Sequence, residues 1–188
     1  MKKLTPIRWI VVLSGFCVLF LGLLHPQHFS SAAVQERQYE VAPYKDLPVA
    51  VQEVKNLKAD EATWLRDLQV VVKNVSDKPI YFIAMNVEFP DMTPPGGGSS
   101  VGFCLFYGRP ELGDIKVPAG PADVPIQPGA THTFTIPSVR AKSYESMKKR
   151  KGIVVTKRVL FSFAAISFGD QTGLSDGLSG LLDFRARA

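Results

Sequence analysis

Between residues 49 and 173 the chain is made of short runs in which apolar and polar side chains alternate, and each run ends at proline, glycine or a cluster of Asn, Ser and Asp. A period of two places every second side chain on one face of a strand, so such runs can cover one side of a sheet but not one side of a helix. Val49 and Val51 alternate with Ala50 and Gln52, and Leu68, Val70 and Val72 alternate with Asp67, Gln69 and Lys73. Further strands are expected over 80–89, 102–107, 131–136 and 159–168, with Phe134 and Ile136 on one face of their strand and Thr131, Thr133 and Thr135 on the other. The segment Asn74-Val75-Ser76-Asp77-Lys78-Pro79 reads as a turn, because Asn, Ser and Asp side chains bond to their own backbone and Pro79 presets φ at the entry to the next strand.

One stretch breaks the pattern. Ser138 to Lys151 is expected to be a helix, with Ser138 as N-cap, Gly152 as stop and Val139, Tyr144 and Met147 along one side. The glycines and prolines over 92–100 predict a surface loop, and 109–123 a connection interrupted by Pro and Gly. Strands that follow one another without intervening helices argue for a mainly β, antiparallel sandwich with one short inserted helix, and against a βαβ fold.

Ahead of this domain, Lys2, Lys3 and Arg8 precede an uncharged apolar run from Trp9 to Leu24. Pro26 follows it, and Ser31-Ala32-Ala33 supplies the small residues of a processing site. The pattern predicts an N-terminal apolar signal helix over 1–33, cleaved after Ala33. Retention of 9–24 as a membrane anchor is the alternative, since about 24 Å of helix falls a little short of a hydrocarbon core of roughly 30 Å. Both place the bulk of the chain outside the cytoplasm, in the periplasm, on the cell surface or secreted, with membrane contact through the N-terminal segment. Residues 34–48 are polar, contain Pro43 and Pro48, and are expected to be a linker. The sandwich then occupies 49–173, and 174–188 form a Gly- and Ser-containing tail.

Removing the signal changes the charge argument. The chain carries 22 Lys and Arg against 17 Asp and Glu. Three of the basic residues and none of the acidic ones lie in 1–33, so the remainder is only slightly basic, near +2. Cys17 leaves with the signal and Cys104 stays alone, which excludes an intrachain disulfide in the processed chain.

The run Val70 to Ile80 and the turn Ile126-Gln127-Pro128-Gly129 resemble the strand and turn pieces of immunoglobulin-like bacterial domains. Together with Gly108-Arg109-Pro110-Glu111-Leu112 and Phe168-Gly169-Asp170, they are similar to uncharacterised exported bacterial proteins with an immunoglobulin-like β-sandwich domain. The resemblance covers Val49 to Gly173. It implies a fold and no active site, and the lack of a Cys…Trp…Cys pattern sets the chain apart from antibody-type domains.

Few residues offer chemistry. Cys104 lies in the apolar run Phe103-Cys104-Leu105-Phe106-Tyr107 and is expected to be an inert packing thiol. His132 shares strand parity with Phe134 and Ile136, which turns it toward the core. One histidine and one thiol do not complete a zinc site, and Leu174 interrupts the calcium-loop spacing in Asp170 to Gly177. No phosphate-cradling loop, dinucleotide fingerprint or nucleophile elbow occurs, so neither a catalytic site nor a cofactor is expected.

The charge distribution is the one pointer to a partner. Arg140 to Arg158 holds eight basic residues and one acidic, Glu145, whereas 36–123 holds thirteen acidic and nine basic. Lys142, Lys148, Lys149, Arg150 and Lys151 are the candidate anion- or partner-binding residues, although the four consecutive ones fan through about 300° of a helix. The expectation is an exported binding or envelope-interaction module, facing an anionic envelope component or a protein and not nucleic acid. An envelope enzyme or accessory subunit with a site assembled from scattered residues is the alternative.

Overall fold

A computed structural model describes residues 36–92, 101–153 and 155–175. The expected signal helix, the Pro/Gly loop over 93–100 and residues 176–188 of the tail lie outside the described residues. Eight strands are described: β1 (Gln38–Val41), β2 (Val49–Lys55), β3 (Gln69–Asn74), β4 (Phe82–Phe89), β5 (Val101–Tyr107), β6 (Thr131–Thr135), β7 (Arg158–Ser167) and β8 (Gly173–Ser175). One turn of helix, α1 (Trp64–Asp67), joins β2 to β3, and a long helix, α2 (Ser138–Arg150), joins β6 to β7. The protein is mainly β, with two sheets and no closed barrel among the described residues. No described helix is long and apolar enough to cross a membrane.

The first sheet runs β1-β7-β4-β5, with β8 pairing β7, and the second runs β2-β3-β6. The alternation noted in the sequence sorts side chains as its period requires. Val70 and Val72 from one sheet and Ile83, Met85, Val87, Phe161 and Phe163 from the other are buried in one apolar core. A second, smaller cluster lies about Phe82, Ala84, Leu112, Ala164 and Ala165, against which Cys104, Phe106 and Val117 are packed. Asn74 is buried and ties two turns together, its Nδ2 donating to Lys78 O at 2.8 Å and to Ile126 O at 2.9 Å. Ser76 N donates to Asn74 Oδ1 at 3.0 Å, the side-chain turn the sequence predicts.

The structure departs from expectation in three places. Residues 38–41, expected within a linker, are strand β1, and it pairs β7 in parallel whereas every other described pair is antiparallel. The strand shows no alternation because it is an edge strand held through its backbone, as by Gln38 N donating to Lys157 O at 2.9 Å, and by the buried Arg37 before it. Strand β8 (Gly173–Ser175) runs across the boundary at which the sandwich was expected to end and the tail to begin, between Gly173 and Leu174. The helix has Pro137 and not Ser138 at its N-cap position, with no side-chain cap, whereas its stop is the expected Gly152, which follows the C-cap Lys151 with a φ of 65° that only glycine adopts freely.

Candidate functional site

Helix α2 buries Ala141, Tyr144 and Lys148, spaced three and four apart on one face. Val139, expected on that face, is instead 64% exposed, and Met147 is half-buried. The face is chosen by aromatic packing. Tyr144 meets Phe89 at 4.5 Å and Trp64 edge-on at 5.9 Å, and its hydroxyl shares a hydrogen bond with that of Thr156. Burial above all, with the charges of Glu61 and Glu145 acting the same way, holds the Tyr144 phenol above its usual range and keeps it neutral.

The five candidate cations separate on this helix. Lys148 is not available to a partner: it is 7% exposed and its Nζ lies 2.6 Å from Glu61 Oε1 and 3.6 Å from Glu145 Oε2. The aliphatic stem lies in the core while the ammonium reaches a carboxylate, which is how a lysine occupies a buried helix face. Lys151 donates to Met92 O at 2.8 Å. Lys142, Lys149 and Arg150 remain exposed, and no ion pair holds them among the described residues. At about 100° per residue these three fall within an arc of about 100° on the side away from the buried stripe. The fan read from sequence is therefore too wide. Its inward and sideways members are bonded to the domain, and the others share one outward face with Val139.

A cleft of about 380 Å³ lies beside the start of the helix, between β5 and β6. Its walls include Cys104, Leu105 and Phe106 on one side, His132 to Thr135 on the other, and Arg140. Cys104 and His132 thus line one recess, but Cys104 Sγ bonds to Leu105 O at 3.7 Å, and His132 is enclosed by rings, 4.6 Å from Tyr107 and 4.7 Å from Phe134. Burial lowers the His132 pKa from its ordinary value near 6.5, so the imidazole is neutral at neutral pH. The folded state then binds this proton less readily than the unfolded chain. Its contribution to stability is full above about pH 6.5 and is lost as pH falls toward the folded-state value. Melting of the protein should decline more steeply between about pH 7 and 5 than melting of His132→Phe, which keeps the ring contacts without the titration. Equal slopes for the two proteins would show that His132 contributes nothing to acid sensitivity.

The Asp170 loop has a structural use. Asp170 lies 2.8 Å from Lys78 and accepts from Thr172, and these bonds depress its carboxyl to about 2. Among the described residues no three His, Cys, Asp or Glu side chains gather as a metal site. Another recess, of about 770 Å³, lies between β1 and the end of β2 and is lined by Tyr39, Val54, Leu57, Ala59 and Arg37. Arg37 is 3% exposed and already engaged, by Glu61, by Leu57 O at 3.0 Å and by Ala59 O at 2.8 Å. Compared with protein families, with curated proteins and with solved structures, the chain has no match.

Proposed function

We propose that the chain is an exported immunoglobulin-like β-sandwich domain, akin to the uncharacterised exported bacterial proteins it resembles, and that it binds an anionic component of the cell envelope through the outward face of α2. The observation that carries this reading is the convergence of Lys142, Lys149 and Arg150 on that face, free of ion pairs among the described residues. Several other cations of the domain are neutralised internally: Lys78 by Asp170, Arg109 by Asp123, Arg158 by Asp91, and Arg37 and Lys148 by Glu61. Each basic residue at an anionic surface contributes about 1 kcal/mol, within a Debye length of roughly 8 Å. Three on one face supply about 3 kcal/mol, and the exposed Val139 beside them adds apolar contact.

The test is co-sedimentation with vesicles containing an anionic lipid, comparing Lys142→Glu/Lys149→Glu with Lys45→Glu/Lys116→Glu. Both doubles change net charge equally, and Lys45 and Lys116 are exposed on other parts of the domain. The first double turns three positive charges into a net negative face, so association should be lost. The second should retain most of it, and the wild type should bind less as salt rises. Equal loss in both doubles, or binding indifferent to salt, would overturn the assignment.

A further inference from the structure

The second sheet has one edge that is guarded and one that is not. Edge strand β2 carries a bulge between Val51 and Glu53 and charged side chains at Glu53 and Lys55, the devices that keep an edge from pairing with another chain. In the first sheet, β1 and β8, four and three residues long, make one edge and are too short to offer a ladder, and the other edge is β5, seven residues without a charged side chain, which forms the far wall of the cleft at β6. Strand β6, Thr-His-Thr-Phe-Thr, has five residues, no bulge, no proline and no charged side chain, and among the described residues it pairs only with β3.

The register says which of its backbone groups are free. Asn74 N donates to Ala130 O at 2.9 Å, so Asn74 and, by alternation, Val72 and Val70 turn their backbone groups toward β6. Their partners His132 and Phe134 complete those bonds. Thr131, Thr133 and Thr135 therefore aim their N–H and C=O groups away from the sheet, and no backbone bond outside the strand pairs engages them among the described residues. This edge borders the cleft that Leu105 and Phe106 close from the other side, and the exposed guanidinium of Arg140 stands at the helix end of it without an ion pair among the described residues.

We infer that β6 accepts an extended peptide from a partner protein as an added strand. Backbone bonds to Thr131, Thr133 and Thr135 would hold it, alternate apolar side chains would face His132 and Phe134, and an acidic residue would meet Arg140. Strand addition takes affinity from main-chain bonds and specificity from alternate side-chain positions, and both are present here. A second copy of this chain fits less well, because pairing β6 with itself offers Arg140 no carboxylate. The inference is independent of the helix face, since Arg140 lies about 160° around α2 from Lys142.

The probe is a pool of octapeptides alternating Val or Ile with Thr or Ser and ending in Asp or Glu, applied to the immobilised protein. A pool of the same composition with proline at alternate positions serves as control. The alternating pool should be retained, and hydrogen exchange at the Thr131, Thr133 and Thr135 amides should slow on binding. Thr133→Pro, which removes an edge donor the domain does not use, should weaken retention at least tenfold. Arg140→Glu, on an exposed helix position, should lose the acid-ended peptides, while Lys142→Glu/Lys149→Glu leaves retention unchanged. Equal retention of the two pools, indifference to both Thr133→Pro and Arg140→Glu, or edge amides already protected in the free protein would overturn the inference. Protection that rises with protein concentration alone would also overturn it, by giving the edge to a second copy.

Discussion

Replacing Glu61 by Ala should lower the unfolding free energy by about 3 kcal/mol, near the lower end of the range for breaking a buried ion pair. Glu61 accepts from Arg37 and from Lys148 Nζ at 2.6 Å, and these cations belong to the segment before β1 and to α2. With the carboxylate gone, two buried cations are left with one weaker acidic contact, Glu145 at 3.6 Å from Lys148. The 28% exposure of the Glu61 side chain admits some water and keeps the loss from the top of the range. Lys148→Met is the informative partner. It removes one charge, leaves Glu61 with Arg37, and puts an apolar chain of similar length on a buried face, so it should cost less than about 1 kcal/mol. Urea unfolding of the two variants checks both, and a Glu61→Ala loss below about 1 kcal/mol would show that the cluster is as weak as a surface pair.

Gly108→Val should leave little folded protein at all. Gly108 has φ of 82°, a region β-branched residues avoid, and an added Cβ would fall well inside contact distance of Tyr81 O, a backbone atom fixed where the chain enters β4. Neither the strain nor the clash can relax without unpairing the ends of β4 and β5, where Ile83 faces Tyr107. The expected loss is beyond about 4 kcal/mol, a size single substitutions reach only by such mechanisms. Gly129→Ala isolates the strain, for Gly129 has φ of 76° with nothing within 4 Å of its added Cβ. It should cost about 1 to 2 kcal/mol. Soluble yield and thermal melting of the two variants measure the difference, and a well-folded Gly108→Val would refute the account of this turn.

Where one face of an element is apolar and the other polar, the sequence was readable. That holds for β3, whose Val70 and Val72 are buried, for Phe134 and Ile136, and for the Asn74 turn, whose bonds are mostly local. It fails where an element owes its place to distant partners. The polar Gln38–Glu40 run gives no sign of a strand whose partner begins at Arg158, and nothing near Lys148 announces Glu61. The helix face held a usable clue, because Ala141, Tyr144 and Lys148 form a stripe that a lysine completes, and a lysine closing a buried stripe needs an acid. Reading Lys148 to Lys151 only as a charge run hid that lysine's different role. The cleft at β6 was not legible, since which edge of a sheet is left open depends on strand order, and strand order is not written in local alternation.

The parallel pairing of β1 with β7 sets an order of events during folding. Bringing Gln38 to Arg158 closes a loop of roughly 120 residues, an entropic cost near 4 kcal/mol on logarithmic scaling, whereas β2 and β3 meet across a short connection. The docking surface for β1 does not exist until β7, the last long strand, has joined β4. The first strand of this domain is therefore among the last to settle. Until then the backbone of β7 from Arg158 to Phe161 stands open, and in a concentrated solution the β1 of a neighbouring molecule competes for it on equal chemical terms, giving strand-exchanged dimers whose yield reports how slowly this closure occurs.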